Sequence, residues 1–85
     1  MRITQAILRK KLKMLCNALG ETSGFGVGEW CLDYYSGGYI VVENGENGSQ
    51  SHPLINKRLT TSQMADALDM AIATVHHLKM MKETQ

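Results

Sequence analysis

Between Trp30 and Glu43 the chain reads Trp-Cys-Leu-Asp-Tyr-Tyr, then Ser36-Gly37-Gly38, then Tyr-Ile-Val-Val-Glu. Two runs of aromatic and β-branched residues suit a pleated surface, and the glycine-rich break between them is a turn signal. Together they specify a β-hairpin. A tight loop at Ser36-Gly37, or a wider one from Tyr35 to Gly38, gives one register. Tyr34 faces Tyr39, Leu32 faces Val41 and Trp30 faces Glu43. Side chains alternate between the faces of a strand. One face then carries Trp30, Leu32, Tyr34, Tyr39 and Val41; the other carries Cys31, Asp33, Ile40 and Val42. A turn at Gly37-Gly38 would slip the register and exchange these sets. The first face is the larger apolar surface and is taken as the core face.

The flanking segments are helical. Ile3, Ile7, Leu8, Leu12, Leu15 and Leu19 recur at helical spacing and predict a helix over residues 3–19. Gly20 stands where a left-handed cap would end it. Its polar face shows Arg2, Gln5, Arg9, Lys10, Lys13 and Asn17, with Lys11 at the flank. A second helix is predicted over 61–80, opened by a Thr60/Gln63 capping box. Its stripe is Met64, Ala67, Leu68, Ala71, Ile72, Val75 and then Leu78 or Lys79. Between the first helix and the hairpin lies a glycine-rich connector, in which Phe25 and Val27 could extend the first strand backwards. After the hairpin, Asn44-Gly45-Glu46-Asn47-Gly48 is a second turn signal. A short third strand is expected over 49–54, an edge strand because Pro53 has no amide donor. Two amphipathic helices need one apolar sheet face. The expected fold is α+β: one two-layer domain over residues 1–85, a three-stranded antiparallel meander with both helices on one face.

At 85 residues such a domain leaves a large share of its surface in water and gains from a partner chain. No apolar run approaches the roughly 18 residues of a membrane span. The basic first helix lacks the apolar block of a signal peptide, so the chain reads as cytoplasmic. Cys16 and Cys31 form no C-x-x-C pair and read as reduced thiols. Charge is segregated. Residues 1–20 hold five bases and no acid, whereas residues 21–46 hold five acids and no base. Such a split can mark a basic face for an anionic partner, or a basic helix packed beside acidic strands.

The residues assemble no catalytic setting. No serine or cysteine sits on a strand-turn-helix elbow, and the carboxylates are scattered. His76 and His77 are neighbours, about 100° apart on a helix, and cannot chelate one ion. No metal site and no cofactor are expected. The Gly-x-Gly-x-Gly connector follows a helix and opens a strand, the reverse of a phosphate loop. Two basic features remain as candidates for an anion or nucleic acid. One is the helix face with Arg2, Arg9, Lys10 and Lys13. The other is Lys57 and Arg58, just before the amino end of the second helix. A third candidate is apolar: if the helices cover one sheet face, then Cys31, Ile40 and Val42 on the other form a self-association patch.

The element order helix-strand-strand-strand-helix is similar to that of double-stranded-RNA-binding domains. Their Gly-Pro-x-His loop and lysine cluster are missing here, so that activity does not carry over. The pattern Trp30-x-Leu32-Asp33, Gly37-Gly38-Tyr39-x-Val41, His52-Pro53, Arg58-Leu59-Thr60 and Met64 resembles small proteins encoded by bacteriophages and prophages. It covers residues 30–68 and implies a viral or mobile-element origin, with no particular chemistry. The expectation is a non-enzymatic accessory or binding module acting on a protein partner, with self-association as a homodimer. The alternative is a nucleic-acid-binding protein using the basic helix face and the Lys57/Arg58 junction.

Overall fold

The computed structural model describes residues 3–83. Helix α1 spans Gln5–Leu19. Strands β1 (Trp30–Tyr35), β2 (Gly38–Asn44) and β3 (Gln50–Ser51) follow, and helix α2 (Thr61–Glu83) ends the order. A single 3-10 turn at Glu46–Gly48 precedes β3. The sheet is antiparallel, in the order β1-β2-β3. This is the α+β architecture expected from the sequence.

The helix ends follow local chemistry. Thr4 caps α1, its hydroxyl accepting from the Ile7 amide at 3.3 Å. Gly20 closes the helix in the left-handed conformation. The capping box is reciprocal: the Thr60 amide donates to Gln63 Oε1 at 3.0 Å, and the Gln63 amide donates to Thr60 Oγ1 at 3.2 Å. Helix α2 runs past its expected end at residue 80, to Glu83.

The hairpin takes the tight turn. Trp30 pairs with Glu43, Leu32 with Val41 and Tyr34 with Tyr39. Ser36 and Gly37 both have positive φ, 53° and 78°. That is the I′ geometry whose twist matches the strands, and it is costly for a residue with a Cβ unless it is Asn or Asp. Ser36→Asn is therefore expected to stabilise the protein by about 0.5–1 kcal/mol, read as a shift in the urea midpoint without a change in slope.

Both helices pack on the Trp30 face. Leu8, Leu12, Leu15 and Cys16 of α1 meet Met64, Ala65 and Leu68 of α2 over Trp30 and Val41, with Leu32, Tyr39 and Ile72 packed against them. Two polar contacts hold the edges of this layer. Lys11 Nζ lies 2.7 Å from Asp69 Oδ1, tying α1 to α2, a partly exposed pair that adds only a few tenths of a kcal/mol. The Trp30 indole donates to Glu43 Oε1 at 2.8 Å across the hairpin, which satisfies the one polar atom of a buried ring.

Two expectations about the strands need correction. Phe25 and Val27 do not extend β1. They are 90% and 67% exposed, and the connector folds back so that Ser23 lies parallel to Trp30. Four glycines between residues 20 and 28 make a turn cheaper there than a strand. The third strand is only Gln50–Ser51, not 49–54. The chain leaves the sheet before Pro53 and returns at Leu59, which exchanges two 2.8 Å backbone hydrogen bonds with Tyr39.

That return overturns the expected self-association patch. Ile40 and Val42 are 5% and 1% exposed within the single chain, so they have almost no surface to lose to a second copy. Cys31 alone of the three keeps partial exposure. The cause at Ile40 is Arg58. Antiparallel pairing of Leu59 with Tyr39 sets Arg58 beside Ile40, and Asp33 flanks Ile40 from the other side. Arg58 Nη2 reaches Asp33 Oδ2 at 2.7 Å, and Nη1 donates to the Gly38 carbonyl at 3.3 Å. The guanidinium sits 5.5 Å from the centre of the Tyr35 ring. To reach Asp33 the side chain must cross the row that holds Ile40, and its apolar stem covers that row.

Candidate functional site

Arg9 and Lys13 lie one turn apart on α1, on the flank away from α2. Below them α1 and β1 diverge around a groove of about 520 Å³. Its floor is Leu12, Trp30 and Leu32, and Phe25 stands at its rim. Among the described residues, Arg9 and Lys13 are the only charged groups that line it. Both are exposed, and neither has an acidic partner among the described residues. A floor of large apolar side chains under two unpaired cations suits a ligand that is part apolar and part anionic.

The groove runs along the open edge of the sheet. Strand β1 has β2 on one side only. On its outer side the Trp30 amide donates to the Thr22 carbonyl at 2.8 Å, and the Gly24 amide donates to the Trp30 carbonyl at 2.9 Å. Residues 22–24 thus act as a short parallel neighbour to one position of β1 and then turn away.

The other residues singled out in the sequence are dispersed. Arg2 lies outside the described residues. Lys10 is exposed on the back of α1, away from the groove, and Lys57 is exposed on the return segment. The Lys57/Arg58 junction is not a pair of free cations, because Arg58 is engaged with Asp33. The Thr60/Gln63 box already occupies an amide at the start of α2. His52, His76 and His77 are exposed, and the described residues hold no group of three or more His, Cys, Asp or Glu placed to bind a metal. Cys16 is buried; desolvation, aided by the nearby Glu21 charge, pushes its thiol above the ordinary range. It is therefore a core group and a poor nucleophile. No helix among the described residues is long and apolar enough to cross a membrane.

A second surface lies on α2. Met70, Leu78, Met80 and Met81 are largely exposed, Met70 at 71%. Met70, Thr74, His77 and Met81 follow at steps of three and four residues on the side opposite Leu68 and Ile72. From Met70 to Leu78 the helix carries no Asp, Glu, Lys or Arg. Exposed methionines on an uncharged helix side are suited to contact with another surface.

The sequence pointed neither to Phe25 as part of a groove nor to the outer side of α2. An aromatic residue isolated among glycines was the available signal for the first, since such a segment cannot bury it. For the second, the signal was the uncharged run itself.

No protein-family model matches this chain, and no curated protein or solved structure is significantly similar to it.

Proposed function

We propose that this chain is a non-enzymatic binding module that works through protein contacts and self-associates. The observation that carries the reading is the uncharged outer side of α2, with Met70 and its neighbours in water. An uncharged, nearly straight seam is complementary to itself. Ala73 and Thr74 near its centre are small enough to let two copies of α2 approach closely. A symmetric dimer closes after one such contact. The reading moves the dimer contact from the Ile40/Val42 face to α2.

In sedimentation equilibrium at high micromolar concentration the wild type is expected near twice 9.4 kDa. Met70→Glu with His77→Glu places two like charges on the seam of each copy and should give a monomer with unchanged helix content. A wild type that sediments at 9.4 kDa would end the reading.

That Arg9, Lys10 and Lys13 have no acidic partner among the described residues favours a second reading, a nucleic-acid-binding module. Salt separates the two. Phosphate contacts weaken with a log-log slope of about −0.9 per contact on duplex DNA, whereas an apolar seam responds little. Absence of DNA and RNA binding at about 50 mM salt would remove this second reading.

A further inference from the structure

We propose that the outer edge of β1 takes an extended, acidic peptide segment of a partner protein as an added strand, seated in the groove beneath Arg9 and Lys13. The proposal specifies the partner class for a protein-binding module. It concerns a different element from the α2 seam, so either can fail without the other.

The backbone comes first. In an antiparallel pair, alternate residues point their amide and carbonyl groups inward to the neighbour and outward to the edge. Trp30 points outward, as its bonds to Thr22 and Gly24 establish. With a period of two, Leu32 and Tyr34 point outward as well. No residue among those described bonds to their outward amides or carbonyls. Sheet edges are commonly blunted by a lysine, a proline or a bulge. Strand β1 has none of these, and its one charge, Asp33, is held by Arg58 on the far face. The chain's own residues 22–24 already meet this edge in one isolated parallel bridge, Ser23 to Trp30. They stop after Trp30, just where the free groups begin.

The side chains then select the occupant. A strand added beside Leu32 and Tyr34 would turn every second side chain toward α1, into the groove. There it meets an apolar floor and two cations, so the fitting segment alternates apolar and acidic character on that side. Nucleic acid can satisfy Arg9 and Lys13 but has no amide ladder to offer at the strand's spacing of about 3.3 Å. A second copy of β1 fits poorly. Its only carboxylate, Asp33, faces the other side of the sheet, and symmetry would bring two Arg9/Lys13 pairs to one seam.

The test is an amide-resolved NMR titration of the full chain with a capped peptide of repeating Val-Thr-Glu-Thr, in which valine and glutamate alternate along one side of the strand. Three comparison probes are used: the analogue with lysine in place of glutamate, the acidic peptide with alternate amides N-methylated, and an oligothymidylate. The expected result is a shift and slowed hydrogen exchange of the Leu32 and Tyr34 amides, with a change in the emission of Trp30, the single tryptophan. The N-methylated peptide should lose this effect. Arg9→Glu with Lys13→Glu should weaken binding about tenfold while leaving the α1 signals intact, because both residues are exposed. Four results would overturn the proposal. They are no binding of the acidic peptide, binding that leaves Leu32 and Tyr34 unmoved, equal binding of the lysine analogue, and displacement of the acidic peptide by the oligothymidylate. A dimer of the wild type that already protects the Leu32 and Tyr34 amides would assign the edge to a second copy and overturn it too.

Discussion

Leu68→Ala is expected to cost about 2–5 kcal/mol, among the largest losses any single truncation could cause here. Leu68 has no exposed surface and sits where α2 meets both α1 and the hairpin. Its neighbours can close the gap only in part: the Met64 backbone is held by its amide bond to the Thr60 carbonyl at 2.8 Å, and Trp30 by its indole bond to Glu43. The removed methyl groups therefore lose their burial and leave a cavity as well. A chain of 85 residues has a total stability on the order of 4–13 kcal/mol, so the variant would approach the unfolding threshold at room temperature. Leu78→Ala, one apolar residue for another on the exposed side of the same helix, should cost under about 0.5 kcal/mol in the monomer. Urea denaturation of both variants measures the contrast. A cost below about 1 kcal/mol at Leu68 would mean that α2 is not part of the hairpin's core.

The hairpin register, both helices, the Gly20 cap and the Thr60/Gln63 box were legible in the sequence because each rests on contacts local in the chain. The Ser36-Gly37 turn sets the pairing of Trp30 with Glu43 by counting alone. Thr60 and Gln63 cap each other from three residues apart. The choice of core face was legible too, since Trp30, Leu32, Tyr39 and Val41 outweigh Cys31, Ile40 and Val42 in apolar area. What escaped depends on contacts far apart in the sequence. Nothing near Arg58 announces that it will cross a sheet to Asp33, 25 residues away. Without that contact, Ile40 has the look of an open position. The groove escaped for the same reason. Arg9 and Lys13 were visible as basic residues, but that they overhang a free strand edge requires knowing how α1 lies on β1. The residue type of Phe25 favours a strand, and the glycines around it decide otherwise.

Gly38→Ala tests whether Arg58 is locked in place. Gly38 is buried at the start of β2, and its φ lies outside the left-handed region, so its backbone would accept any residue. Reducing the freedom of the unfolded chain would then stabilise the alanine variant by about 0.4–1 kcal/mol. Packing opposes this. A Cβ at position 38 would lie 2.7 Å from Arg58 Cβ, well inside contact distance. Arg58 Cβ is anchored to a backbone that cannot retreat, because adjacent Leu59 is held by two 2.8 Å hydrogen bonds to Tyr39. Overpacking of this kind costs about 1–3 kcal/mol, which exceeds the entropic gain, so a net loss is expected. The displaced Arg58 would also release Asp33, and Ile40 would become more exposed. Arg58→Gly removes the clashing atom. Gly38→Ala added to Arg58→Gly should then be neutral or stabilising, and the two substitutions should couple by about 1–3 kcal/mol in a double-mutant cycle. Asp33→Asn separates packing from charge: it weakens the ion pair but leaves the clash, so Gly38→Ala should remain destabilising in that background. A Gly38→Ala variant as stable as the wild type would show that the return segment can lift away from β2. Ile40 would then be open to solvent and to a partner.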